Sequence, residues 1–164
     1  MALVVMGVSG CGKSTLGGLM AQALDCPFLE GDSFHSADAV DKMRRGCALT
    51  DEDRWPWLDR LGVAAASAIA TQGRVVAACS ALRRAYRDRL RTAIGVPVHF
   101  LLLDGSRDAL LTRLHNRPGH YMPASLLDSQ LGTLERPSPD ERAIMLDASA
   151  PPDRLRDAAI AWLR

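Results

Sequence analysis

The sequence has almost no net charge, few cysteines and no long apolar run, and each shortage excludes a class of protein. The basic residues number 20 and the acidic residues 19, which argues against a nucleic-acid backbone or an anionic membrane as the main partner. The four cysteines lack paired spacing, so we expect reduced thiols rather than a zinc site or a redox pair. No apolar run approaches the ~20 residues of a membrane span. The N-terminus lacks a basic signal-peptide start, so a cytoplasmic location is expected.

The composition is that of one globular domain over residues 1–164. Hydrophobic residues make up 48% and charged residues 24% of the chain, which is ordinary for a folded domain of this length. Repeats, low-complexity tracts and linkers are missing from the sequence. A single hydrophobic core system is therefore predicted.

Short apolar runs alternate with segments of helical periodicity. The runs are at residues 3–6, 27–30, 74–80, 98–103 and 143–146. This alternation predicts a three-layer α/β/α fold with a five-stranded parallel sheet. Ligands of such sheets bind beyond the carboxyl ends of the strands. The least regular stretches, 33–57 and 115–137, are candidates for mobile flaps; we assign 33–60 to a substrate-binding flap and 115–137 to a lid.

Residues 7–14, GVSGCGKS, match the phosphate-loop pattern G-x-x-x-x-G-K-[ST] in full. The pattern follows a predicted strand and opens a predicted helix, which is the context that it requires. Its glycines let backbone N–H groups curl around a phosphate at a helix N-terminus. We expect Lys13 to neutralise phosphate oxygens and Ser14 to bind Mg²⁺. The predicted ATP-binding residues of this loop are Gly7, Ser9, Gly10, Cys11, Gly12, Lys13, Ser14 and Thr15.

Among the classes of protein that carry a phosphate loop, the rest of the sequence favours a small kinase. An N-K-x-D segment, typical of GTPases, is missing, and the third strand ends at Ser80 without the acid of a motor ATPase. Asp32 follows the second strand, where a carboxylate can accept a proton from an attacking hydroxyl or hold Mg²⁺ through water. The alternative is that Asp32 only caps the following helix. A P-loop kinase of the adenylate- or shikimate-kinase type is the predicted architecture.

The chain resembles the gluconokinase family over most of its length. The stretches that carry the resemblance are 7–15 (GVSGCGKST), 31–35 (GDSFH), 42–58, 79–91 and 117–141. The resemblance implies Mg²⁺-ATP and phosphorylation of D-gluconate at its 6-hydroxyl, giving 6-phospho-D-gluconate and ADP; it also points to a homodimer. Two departures are Arg83, where the family often has lysine, and Ser36, where proline commonly follows the histidine.

The binding site of a substrate such as gluconate, which carries a carboxylate and several hydroxyls, needs a cation and hydrogen-bonding groups. The stretches that resemble the gluconokinase family contain both. An arginine fork can bond both carboxylate oxygens, so we predict contact by Arg87 first, then Arg83, then Arg54. Each of these arginines could equally be a solvated charge on a helix face. Further predicted substrate-binding residues are Lys42, Ser80, Asp32 and His35. For His35, a structural role at the start of a helix or in packing is an equally good interpretation.

The lid stretch offers cations for the transferred phosphoryl group. By resemblance, Arg117 is the best candidate to reach the phosphates on closure, with Arg113 second and a surface ion pair as the alternative. His120 is predicted to latch the flap over the substrate, with simple packing as the alternative.

The sequence alone leaves three other functions open. They are another small-molecule kinase acting on shikimate or a nucleotide, a nucleotide-binding regulatory module without transfer activity, and a nucleic-acid-dependent ATPase. The arginine-rich run at 83–91 would serve the last of these, but the near-zero net charge argues against it.

Overall fold

The computed structural model describes residues 1–117 and 123–164 of the chain. These residues form five strands: β1 (Ala2–Met6), β2 (Phe28–Glu30), β3 (Val75–Ala78), β4 (Val98–Asp104) and β5 (Ala143–Asp147). They also form the helices α1 (Lys13–Ala23), α2 (Ala37–Arg44), α3 (Asp51–Gln72), α4 (Arg84–Ile94), α5 (Arg107–His115), α6 (Ala124–Thr133) and α7 (Pro152–Leu163).

All strand pairs are parallel, and the sheet order is β2-β3-β1-β4-β5. The central strand β1 is completely buried and pairs with β3 on one side and β4 on the other. Its continuous apolar sequence follows from this position, because both faces of the sheet are covered. The predicted five-stranded parallel sheet is thus confirmed.

Two hydrophobic clusters cover the two faces of the sheet. One contains residues of α3 and α4, such as Trp57, Leu61 and Leu90, and the other contains residues of α1, α5, α6 and α7. Helices α3 and α4 approach closely at Gly62, where an added Cβ would lie only 2.3 Å from the Ala93 Cβ. This arrangement is the predicted three-layer fold.

The sequence predicts a short helix at 36–46 within the flap, which the structure confirms as α2, but the start of α3 lies earlier than the sequence suggested. A 3₁₀ turn at Gly31–Phe34 and helix α2 fill its first half, and α3 begins at Asp51. The expectation of an irregular stretch up to residue 57 was therefore wrong. Pro56, the sixth residue of α3, made a helix over these positions look unfavourable in the sequence, but Thr50 and Asp53 form a capping box that begins the helix one turn earlier.

Helix α6 begins directly after Pro123 and includes Leu127 and Leu131, two of the three leucines whose spacing in the sequence predicts a helix here; the third, Leu134, follows its end. Leu126 and Leu127 are buried, so this part of the predicted lid packs against the body of the protein. Movement of the lid stays a prediction, and its residues 118–122 lie outside the described part of the chain. Within the described part, no helix is both long and apolar enough to cross a membrane. All four cysteines are free, as expected.

Candidate active site

The phosphate loop lies between β1 and α1, as its motif predicted. Gly12 directly precedes α1 with φ of 98°, a left-handed conformation that glycine adopts without steric penalty. The Gly7 N–H donates to the Ser80 carbonyl at 3.2 Å. The end of β3 is thereby joined to the first residue of the loop.

Lys13 lies between two clefts. Its Nζ donates to the Val8 carbonyl at 3.0 Å, and the residue lines both a cleft along the phosphate loop and a separate cavity beneath α2 and α3. Ser9 and Asp32 also line both spaces. These three residues therefore mark the border at which a phosphoryl group could pass from one ligand to another.

A carboxylate that sequence reasoning missed lies beside Ser14. The Ser14 hydroxyl donates to the Glu30 carboxylate at the end of β2, two residues before Asp32. Hydroxyl and carboxylate oxygens suit Mg²⁺, which takes few protein ligands and keeps phosphate oxygens and waters as the others. Among residues 1–117 and 123–164, no group of three or more His, Cys, Asp or Glu side chains is arranged for a metal ion.

A cavity of about 810 Å³ adjoins the phosphate loop. Arg113 borders it and donates from Nη1 to the carbonyls of Cys11 (3.4 Å) and Ala148 (3.0 Å). Arg117 and Asn116 line the neighbouring cleft along the phosphate loop. The cavity is otherwise lined by α5, the start of α7 and the residues after β5, chiefly Gly105, Ala109, Leu110, Asp147, Ser149, Pro151 and Pro152. The structure thus places both Arg113 and Arg117 beside the phosphate loop.

A smaller cavity of about 290 Å³, which we call the acceptor cavity, opens on the other side of Lys13. Its polar and charged lining residues are Ser9, Lys13, Asp32, His35, Arg44, Arg54, Ser80, Ser129 and Gln130. Four of the predicted substrate-binding residues are therefore together in one cavity: Asp32, His35, Arg54 and Ser80. Arg54 is held by a 2.5 Å bond from Nη1 to the Leu49 carbonyl.

His35 stacks on Trp57 with ring centroids 4.0 Å apart. Trp57 is fixed in turn, because its Nε1 donates to the Gly31 carbonyl at 2.7 Å. The His35 Nδ1 atom is buried and has no hydrogen-bond partner within the described protein. Burial lowers the pKa of His35 below its ordinary value, so the imidazole is neutral at pH 7 and can bond a hydroxyl.

Three predicted substrate cations lie outside the lining of the acceptor cavity. Arg87 is completely buried and forms a two-pronged ion pair with Glu141, at 2.7 Å and 2.9 Å, so its expected contact with substrate was wrong. Lys42 pairs with Asp53 at 2.7 Å, and Arg83 lies 3.8 Å from Asp51; neither lines the acceptor cavity. Arg87 and Lys42 are each hydrogen-bonded to a carboxylate from another part of the chain, whereas the Arg83 side chain is 44% exposed and its contact with substrate stays a prediction. His120 is outside the described residues, so its predicted role is untested.

Sequence reasoning missed Arg44, Trp57 and Gln130 as cavity residues. Arg44 ends α2, and charged residues at a helix end gave no signal of a cavity. The Gln130 Oε1 accepts the Ser9 N–H at 2.7 Å, which joins α6 to the phosphate loop across 121 positions of sequence. Of the residues that sequence reasoning missed, Glu30 alone could have been identified as a site residue from the sequence, because Glu30 and Asp32 flank a glycine at the end of a predicted strand.

Comparisons with known proteins agree with this geometry. A family model described as "AAA domain" matches residues 3–137. The chain is 46% identical over 145 residues to the thermosensitive gluconokinase of Escherichia coli (strain K12), a match that covers 88% of this chain and 76% of the relative.

Two solved structures are also similar. The gluconokinase of Sinorhizobium meliloti 1021 superposes with a TM-score of 0.89 and 45% identity, covering 99% of this chain and 90% of that one. The shikimate kinase of Aquifex aeolicus vf5 has a TM-score of 0.58 and 14% identity, and the match covers 99% of this chain and 96% of that one; it shows the shared fold alone.

Proposed function

The chain belongs to the gluconokinase family, and from that premise we propose that it transfers a phosphoryl group from ATP to the 6-hydroxyl of D-gluconate. The products are 6-phospho-D-gluconate and ADP. The observation that carries the proposal is the acceptor cavity, which shares Lys13 and Asp32 with the phosphate-loop cleft and is lined by arginines. A homodimer and a cytoplasmic location remain predictions.

ATP is proposed to lie along the phosphate loop with its nucleoside in the 810 Å³ cavity bordered by Arg113. Lys13 neutralises charge on the phosphate tail, and Arg117 approaches it from the lid side. Ser14, with Glu30 and Asp32 nearby, would hold Mg²⁺, which supplies positive charge to the phosphate oxygens when it is bound.

D-gluconate is proposed to occupy the acceptor cavity with its carboxylate toward Arg44 and Arg54. Arginine suits this role because its planar fork bonds two carboxylate oxygens at once. The partnerless His35 Nδ1 and the Ser80 hydroxyl provide hydrogen bonds for the polyol hydroxyls. The 6-hydroxyl, at the other end of the substrate, then lies on the Lys13 side of the cavity.

The transfer is a direct displacement at phosphorus. The 6-hydroxyl oxygen forms a bond to the terminal phosphorus while the bond from that phosphorus to the ADP oxygen breaks. Asp32 orients the hydroxyl and takes up its proton. Lys13 and Arg117 stabilise the charge that spreads over the migrating group.

The proposal is tested by an ADP-release assay with purified protein, Mg²⁺-ATP and a panel of acceptors: D-gluconate, shikimate and nucleoside monophosphates. We expect release only with D-gluconate, and 6-phospho-D-gluconate in the product by mass spectrometry. Faster release with another acceptor would identify a different small-molecule kinase. Nucleotide binding without acceptor-stimulated release would leave only a binding module, and stimulation by RNA or DNA would indicate the nucleic-acid-dependent reaction.

A further inference from the structure

Arg87 is a completely buried cation that the proposed mechanism does not use. It projects from α4 beneath the residues that connect β3 to α4, which we call the β3–α4 loop (79–83). The Arg87 Nη1 donates to the carbonyls of Ala81 (3.0 Å) and Leu82 (3.4 Å) in this loop, and to that of Glu135 (3.1 Å). One guanidinium therefore joins the loop to the segment that follows α6.

The guanidinium is itself held by Glu141. Nε and Nη2 of Arg87 donate to the two carboxylate oxygens at 2.7 Å and 2.9 Å. Glu141 also accepts from the Ser138 N–H at 3.1 Å and from Arg91 Nη2 at 2.9 Å. Every Glu141 oxygen is thus used, and the direction of the Arg87 fork is set by a fully bonded, buried carboxylate.

The loop that Arg87 holds has an unfavourable backbone conformation. Ala81 has φ of 45°, in the left-handed region where a Cβ is disfavoured. Such a conformation persists only where its surroundings hold it, and it is concentrated at functional sites. Arg87 bonds the carbonyl of this residue and that of the next, so its contacts lie directly on the residue in the left-handed conformation.

The neighbours of Ala81 belong to the site. Ser80 and Leu82 both line the acceptor cavity, and the Ser80 carbonyl accepts the Gly7 N–H of the phosphate loop. A loop that relaxed around Ala81 would move the Ser80 hydroxyl relative to Lys13 and Asp32. Ala81 therefore lies between two residues of the cavity wall, and its backbone conformation bears directly on their positions.

We propose that Arg87, oriented by Glu141, is a positioning residue that shapes the β3–α4 loop for the acceptor. The inference rests on the proposed function, because it assigns the acceptor to this cavity. A buried ion pair can often be replaced by apolar residues without loss of stability, so stability alone does not require this one. Its distinctive contribution is the set of carbonyl bonds, which apolar side chains do not provide.

The experiment compares the wild type with Arg87→Met/Glu141→Leu, which removes both charges together and avoids an unpaired buried ion. We expect a folded protein by circular dichroism in which KM for D-gluconate rises at least ~10-fold and kcat falls, because small displacements of a positioned group are costly. KM for Mg²⁺-ATP should stay within about twofold, which a general loss of folded structure would not allow.

The matched control is Arg84→Ala/Asp140→Ala. This exposed pair connects the same two segments, with Nη1 and Oδ1 3.1 Å apart, but does not touch the loop carbonyls. It should leave both KM values unchanged. If the apolar double variant fails to fold, Arg87→Lys provides the test, because it retains a positive charge but lacks the fork.

An unchanged KM for D-gluconate in a folded apolar double variant, or in Arg87→Lys when that variant is needed, would overturn the inference. The wild-type assay separates this outcome from failure of the proposed function. If the wild type phosphorylates a different acceptor, the same comparison is made with the KM for that acceptor.

Discussion

At the scale of single residues, Lys13 and Asp32 have in common that each lines both the phosphate-loop cleft and the acceptor cavity. A cation and a carboxylate at this border can act on the phosphoryl group and on the attacking hydroxyl in the same step. The two side chains come from different elements, the start of α1 and the turn after β2. Their proximity depends on the parallel arrangement of β1, β2 and β3.

We predict that Lys13→Ala and Asp32→Asn each lower kcat by at least ~10²-fold, because one removes charge stabilisation and the other removes the proton acceptor. Steady-state ADP release with D-gluconate measures the effect, and circular dichroism verifies the fold. Ser129→Ala, also in the cavity lining but without charge, should have a much smaller effect. A folded Asp32→Asn enzyme with full activity would rule out Asp32 as the base.

The site residues were predictable from sequence to unequal degrees. The phosphate loop was recognised in full because its function needs only contiguous residues and a strand-to-helix context. The arginines were not, because a cation's role depends on which carboxylate it meets. Arg54 reaches the acceptor cavity, whereas Arg87 is neutralised by Glu141, 54 positions away in the sequence.

At the scale of elements, the N-terminus of α3 organises the wall of the acceptor cavity. The Thr50 hydroxyl accepts the Asp53 N–H at 3.2 Å, and the Asp53 carboxylate accepts the Thr50 N–H at 2.9 Å. Lys42 of α2 bonds the same carboxylate, and this hydrogen bond is the main reason why the pKa of Asp53 is lowered to about 2. Lys42 therefore joins α2 to α3, a role that its sequence context did not reveal.

We predict that Thr50→Ala destabilises the protein by about 1 kcal/mol, because the Asp53 N–H loses its side-chain acceptor. The free energy of unfolding in urea measures this loss. Thr71→Ala, near the other end of α3, removes a hydroxyl that bonds only carbonyls of its own helix and should cost less than ~0.5 kcal/mol. Equal losses in the two variants would show that the capping box contributes nothing particular.

At the scale of the whole molecule, the segment after α6 is tied to α4 by a buried charge cluster. The Glu141 side chain is 1% exposed, and its bonds to Arg87 hold its pKa at about 2, below the ordinary value of 4.5. The unfolded chain binds a proton at higher pH than the folded chain does. The stabilisation is therefore complete above pH 4.5 and is lost as pH falls toward 2.

We predict that wild-type stability falls by up to about 3 kcal/mol through this group as the solution is acidified across that range. Urea unfolding at several values between pH 6 and pH ~3 measures the change. In Glu141→Gln the stability should be lower near neutral pH, and its difference from the wild type should shrink with acid. Glu52→Gln, an exposed substitution, should follow the wild-type curve. A constant difference between Glu141→Gln and the wild type would contradict the assignment.

The amino-acid sequence by itself determined the parallel sheet, the phosphate loop and the family, because apolar periodicity and contiguous motifs are local properties of the chain. Only the tertiary structure decided which charged residues face the acceptor cavity and which are buried in ion pairs. The reason is that a charged or polar group removed from water needs a partner, and Arg87, Lys42 and Gln130 find theirs on segments that folding alone brings near.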